Sequence, residues 1–153
     1  MYKITPITIA DPTTAQIAGF KAYASISESE HDALFSDLLK NAMLEVGDWE
    51  DVSLLAQTIR LTVSEREENG PITLYRGGGE ITSVTDAAGN AIGYTMHGGA
   101  VLPDVFTPDV VITYETSVSA GDLARLLTRA YRYATAVYDG EDANTLQKIL
   151  TTR

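Results

Sequence analysis

At 153 residues the chain suits one domain whose core removes most of its apolar surface from water. Apolar residues make up 44% and charged ones 21%, which excludes an intrinsically disordered chain, and the absence of cysteine excludes disulfide staples, thiolate zinc sites and cysteine nucleophiles. The formal charge of -10 opposes the counterion release that drives grip on nucleic acid, although an acidic wall lets DNA slide past without sticking.

The opening MYKITPITIA has one lysine and no long apolar core, so it is not expected to act as a signal peptide. No apolar run approaches the roughly 18 residues of a membrane span, and a soluble protein is expected. Within that opening, Tyr2, Ile4, Ile7 and Ile9 alternate around Pro6. An extended arm or edge strand is predicted, since proline cannot donate to a ladder.

Asp11 as N-cap and Pro12 at the first helical position predict a short helix carrying Ile17, Phe20 and Tyr23. A longer helix is predicted from Ser27, which forms a capping-box pattern with Glu30. Its apolar face is Leu34, Phe35, Leu38, Leu39, Ala42, Met43 and Val46. Gly47 or Asp48 is expected to end it, with Trp49 packing just beyond.

The period then changes. Ile59, Leu61 and Val63 alternate with Thr58, Arg60 and Thr62, the two-residue repeat of a half-buried strand. ITLYR, EITSVTD, AIGYTMH and DVVITYE are further short strands separated by turn residues, which predicts a small antiparallel sheet over residues 57 to 116. Helix returns at Ser119, with Leu123, Leu126, Leu127, Ala130, Ala134 and Val137 as its buried stripe. Gly140 breaks it, and EDANTLQKIL supplies a last amphipathic helix. Helices at both ends around central strands predict an α+β fold, mostly a helical bundle with a small antiparallel sheet or hairpin inserted. The organisation predicted is a single domain: arm 1–10, helices 12–50, sheet 54–117 and C-terminal helices 119–151.

No motif points to catalysis. The run Gly77-Gly78-Gly79 is followed by Glu80 and Ile81, where a phosphate loop requires lysine and then Ser or Thr. A bulge or bend between strands is expected there instead. Gly89 and Asn90 are expected to make a hairpin turn. His31 and His97 are too far apart for a two-histidine motif, and a metal site is not expected. His97 with a nearby carboxylate would be the general base of a small hydrolase, but no nucleophile motif accompanies it. The acids at Glu28 to Asp32, Asp48 to Asp51 and Glu65 to Glu68 match no calcium loop and read as solvated faces.

The helix after Ser119 is more informative. Arg125, Arg129 and Arg132 recur at four- and three-residue steps beside the apolar stripe, and Tyr131, Tyr133 and Tyr138 add amphipathic rings. That face suits nucleic acid, a subunit contact, or plain solvation. The net charge favours a subunit contact over nucleic acid, because the bases can pair with the acids of a neighbouring copy.

In order and spacing, these segments resemble the head-tail connector, or neck adaptor, proteins of tailed bacteriophages. In that family an early helix ends in a lysine-containing turn, followed by an acidic gap and a long helix. An L-x-x-Q-T-x-x-L strand, an S-V-T hairpin, a V-x-V-x-Y strand and a closing helix opening on D-L complete the pattern. At those places this chain has Lys21; Leu54, Gln57, Thr58 and Leu61; Ser83, Val84, Thr85 and Gly89; Val110, Ile112 and Tyr114; and Asp122 with Leu123. The likeness spans residues 12 to 139. It departs where the family has a proline-valine pair before the hairpin, here GGGEI, and an aromatic-glycine end to the long helix, here VGDW.

The resemblance implies a non-enzymatic virion protein without cofactor, located in the neck between capsid and tail. Its copies would form a ring, usually dodecameric, beneath the portal protein. That ring would extend the DNA channel, with DNA as passing cargo, and offer a surface to the next neck or tail protein. Arg125, Arg129, Arg132 and Tyr133 are the candidate interface residues, and by analogy Leu146, Ile149 and Leu150 of the last helix are expected to touch the portal. A tail-completion or stopper protein is the alternative within the same class, and a small hydrolase the alternative outside it.

Overall fold

In the computed structural model, which describes residues 1–151, the alternation of Ile59, Leu61 and Val63 builds a strand, β2 (Gln57–Val63), whose every second side chain is buried. The arm is its antiparallel partner, β1 (Tyr2–Ile9), with a register shift between Pro6 and Thr8. Proline sits there because β1 is an edge and Pro6 interrupts no shared ladder. Five further strands follow: β3 (Ile72–Thr73), β4 (Gly78–Asp86), β5 (Tyr94–His97), β6 (Ala100–Pro103) and β7 (Val110–Thr116). They assemble with β1 and β2 as two antiparallel sheets, ordered β1-β2-β7-β4 and β3-β6-β5.

Both sheets share one core. Ile59, Leu61, Val84, Val110, Ile112 and Tyr114 from the larger sheet pack with Ile72, Leu74 and Val101. Each large apolar side chain buried there contributes roughly 1.5–3 kcal/mol. Tyr114 is fully buried and its hydroxyl is not left unpaired: it donates to the Tyr75 carbonyl at 2.9 Å and accepts from the Tyr75 N–H at 3.1 Å. The ring therefore fills the core while its oxygen closes a gap in the backbone hydrogen bonding of the loop before β4.

Residues Met1–Ile9 and Ala56–Ser117 form one compact unit, and Ala10–Leu55 with Val118 onward form the other. In the second unit four helices pack together: α1 (Thr14–Tyr23), α2 (Asp32–Glu50), α3 (Ala120–Tyr138) and α4 (Ala143–Thr151). The fold is thus mixed helix and antiparallel sheet. The sheets are a unit of their own, larger than the small insertion expected, because the N-terminal arm joins them and Ala100–Pro103 adds a strand that the sequence reading lacks.

Three helix boundaries differ from the expected ones. Thr13, not Asp11, caps α1: its hydroxyl accepts from Gln16 N–H at 3.1 Å and the Gln16 side chain accepts from Thr13 N–H at 2.9 Å. Asp11 instead meets Lys40 at 2.8 Å. Ser27 caps nothing, because Ser25 turns the chain with φ 57° and α2 starts only after His31, where Asp32 meets Lys21 at 2.7 Å. Gly47 does not stop α2. It lies inside the helix because the chain folds back over it, Val52 N–H reaching the Gly47 carbonyl at 3.0 Å, and a Cβ there would stand 2.6 Å from the Val52 oxygen. Asp51, at φ 54°, ends the helix and Trp49 is exposed on it.

Candidate functional site

Ser119 starts α3 as expected, accepting from Asp122 N–H at 3.1 Å. The Leu126, Ala130, Ala134 stripe is buried, while Val137, expected inside, is 38% exposed near the end of the helix, and Ala136 is buried instead. The three arginines that share a flank in sequence do not share a role. Arg125 is exposed and meets Asp122 at 3.3 Å, an i,i+3 pair within its own helix. Arg129 turns inward, pairing with Glu50 of α2 and donating to the Leu150 carbonyl of α4 at 3.4 Å. Their side chains are only 10% and 16% exposed, so this pair ties three helices together. Arg132 is exposed and lines a groove of about 280 Å³ with Tyr23, Asp139, Thr145 and Lys148. Tyr133 is half-buried, and loss of water, then the charge of Glu45, pushes its phenol above the usual tyrosine range.

Helix α4 begins where Asp142 accepts from Thr145 N–H at 2.8 Å. Its apolar side is turned inward, with Ile149 buried and Leu146 and Leu150 half-buried, and it packs on α3 and α2. Gln147 and Lys148 remain on its exposed side.

The glycine run is a strand entry with no ligand geometry. Gly77 has φ +67° and a Cβ on it would stand 2.5 Å from the Ser117 oxygen; one on Gly79 would stand 2.7 Å from the Glu115 oxygen. The pairing of β4 with β7 shifts register between Gly78 and Ile81 and again before Ser83. These glycines let the chain lie close against β7 while it bulges, as the sequence led us to expect. Asp86 then organises the turn, its carboxylate accepting from Ala88 N–H and Asn90 N–H, each at 2.9 Å. After Ala91 and Ile92 have paired with β4 around the expected Gly89-Asn90 turn, the chain leaves for the other sheet as β5.

His97 is exposed at the end of β5, just before the Gly98-Gly99 turn. The Glu65 to Glu68 acids surround Arg66, which donates to the carbonyls of Thr107 at 3.1 Å and Gly70 at 2.8 Å and so fastens this loop. Among the described residues no cluster of three His, Cys, Asp or Glu could hold a metal ion, and no helix is long and apolar enough to cross a membrane.

What the residue-by-residue reading did not find is a set of exposed apolar side chains. In the sheet unit these include Tyr94 and Met96 of β5 with Val105 and Phe106 after β6, besides Met1, Tyr2 and Ile7 of the N-terminal arm; in the helical unit they include Leu34, Trp49, Val137 and Tyr138. One sequence signal marks the β5 residues: no Asp, Glu, Lys or Arg occurs from Ala87 to Pro103 in an otherwise acidic chain.

The residues that carry the resemblance mostly specify the fold. Leu54, Gln57, Leu61, Val84, Val110, Ile112 and Tyr114 are all buried. No protein-family model matches the chain, and no curated protein matches it. Solved structures do. The chain is similar to one in the neck of an empty gene transfer agent (GTA) particle computed with C6 symmetry, at 17% identity and TM-score 0.67, over 97% of this chain and 93% of that one. It is similarly related to one in the virion of a native gene transfer agent particle, at 17% identity and TM-score 0.66, over 96% of this chain and 92% of that one. The fold resembles that of neck proteins, as the motif order had suggested.

Proposed function

We propose that this protein is a structural subunit of a virion neck, non-enzymatic, joining head to tail. One observation carries the reading: both units together, in one chain, match a neck chain over nearly the full length of each. The two units then belong to one subunit. The acidic surface agrees, because a wall of net negative charge lets DNA pass without adhesion.

The finer reading is an adaptor. Copies form a ring under the portal, extend its channel and present a surface to the next neck or tail component. A dodecamer is compatible with the six-fold symmetry applied to the similar neck. Exposed Arg125 and Arg132 and half-exposed Tyr133 serve the contact between copies. For α4 to meet the portal, either its outer side with Lys148 docks, or Leu146, Ile149 and Leu150 are released from α3 first.

The test is the mass of the purified chain, alone and mixed with purified portal, by native mass spectrometry or sedimentation. A ring, or binding to portal rings, is expected. A chain that stays monomeric and ignores portal overturns the adaptor reading. Binding only to an adaptor-portal complex would instead make it a stopper.

A further inference from the structure

The strand β5 is exposed at all four residues, on both faces, and its one strand partner is β6. Tyr94 and Met96 are 38% and 46% exposed, and Val105, just past β6, is 72% exposed. β5 is the outer strand of the sheet β3-β6-β5, with its apolar side chains in water, so this edge gains from a second surface laid on it. From Ala87 to Pro103 the segment carries no carboxylate, lysine or arginine, and its only basic group is His97.

A second apolar surface lies on the helical unit. Leu34, Leu38, Glu45 and Trp49 fall on one side of α2, at steps of four, seven and four. Leu34 and Trp49 are 51% and 52% exposed. Helices α2 and α3 run antiparallel, since Glu50 meets Arg129 at one end and Phe35 meets Tyr138 at the other, ring centroids 5.9 Å apart. Tyr133 and Val137 lie one turn apart on α3, which packs on α2, and the charge of Glu45 reaches the Tyr133 phenol.

These two surfaces differ in charge. Two copies of the α2 flank laid together would oppose Glu45 to Glu45 in a protein that already carries -10. Strands β5 and β6 carry no carboxylate of their own, the nearest being Asp104, which directly follows β6 and lies beside Gly93, and they supply the tyrosine and methionine that favour protein interfaces. Resting on the ring reading above, we propose that the β5–β6 hairpin of one copy seats on the Leu34, Trp49, Val137 flank of the next copy. The contact is heterologous, joining unlike patches, which is the kind that closes into a ring.

The experiment uses Met96→Asp and Trp49→Asp in the full chain, each checked for an unchanged thermal transition. Each variant alone is expected to lose ring assembly. Mixed together they form a two-chain complex that cannot grow, because one retains a good hairpin and the other a good flank. Since the chain has no cysteine, Met96→Cys mixed with Leu34→Cys gives a second readout. A mild oxidant is expected to link these chains pairwise, and this holds even if the aspartate variants misfold. Rings that persist in both aspartate variants overturn the contact while leaving the ring reading intact. Dimers of Trp49→Asp alone would mean hairpin pairs with hairpin, and also overturn it. A wild-type chain that never assembles overturns the ring reading itself.

Discussion

The sheet unit and the helical unit both bury aliphatic side chains, but they add different contacts to that burial. In the sheet unit a lattice of aliphatic side chains surrounds one fully buried tyrosine, and the strands share their ladders. In the helical unit rings and ions join Leu39, Val46, Leu126 and Ile149 in holding the helices together. Phe20 packs edge-on against Phe35 and stacks on Tyr131, and Lys21–Asp32, Lys40–Asp11 and Arg129–Glu50 connect separate segments. Deleting core volume should therefore hurt either unit, while changing charge or salt should register in the helical unit.

The largest effect expected is Tyr114→Ala, at about 3–5 kcal/mol, because a buried ring leaves a cavity that neighbouring strands cannot close. Tyr114→Phe keeps the volume and strands the Tyr75 N–H and carbonyl, costing about 1–3 kcal/mol. Amide exchange should accelerate first in β2, β4 and β7. Equal acceleration in α2 and α3 would erase the distinction between the units.

Arg129→Ala comes next, at about 2 kcal/mol, because Glu50 stays behind largely out of water. A double-mutant cycle with Glu50→Gln isolates the pair; a coupling near zero would mean that packing, not charge, holds α2, α3 and α4. The exposed pairs Lys21–Asp32 and Lys40–Asp11 contribute less and should weaken further as salt rises. Thr13→Ala should cost about 1 kcal/mol by opening the α1 capping box, whereas Asp11→Ala, expected from sequence to remove a cap, should cost less.

That last pair measures how far the sequence could be read. Periodicity located the four helices and most strands, because Leu39, Val46, Ile59, Leu61 and Leu126 are buried by the same solvent exclusion that sets the pattern. Caps were harder. Asp11-Pro12 and Thr13-x-x-Gln16 are both sound helix starts, and in the fold Thr13 takes the cap while Asp11 meets Lys40 of another helix. The role of Arg129 was illegible for the same reason: an arginine on a helix flank looks the same whether it faces water or Glu50 of another helix. The β5–β6 surface was legible only as a lack of charge, a signal that ordinary core strands also give.

The smallest effect compares one carboxylate in each unit. Asp86 sits in the β4 turn and Asp142 at the start of α4, and backbone N–H groups, chiefly those of Asn90 and Thr145, hold both below the usual aspartate range. A carboxylate whose pKa is lowered on folding stabilises the fold above its unfolded pKa. That contribution disappears as pH falls through the folded value, because the protonated acid is a poorer acceptor. Acidification below the normal aspartate range should therefore loosen the 86–90 turn and fray the first turn of α4 while both cores persist. Carboxyl chemical shifts followed by NMR through the acid range check this, and Asp86→Asn and Asp142→Asn should each flatten one of the two local transitions. Because the causes are local hydrogen bonds and not distant charges, added salt should leave both titrations nearly unmoved, in contrast to the lysine pairs of the helical unit. A carboxyl titrating at or above the usual value would remove its turn from this account.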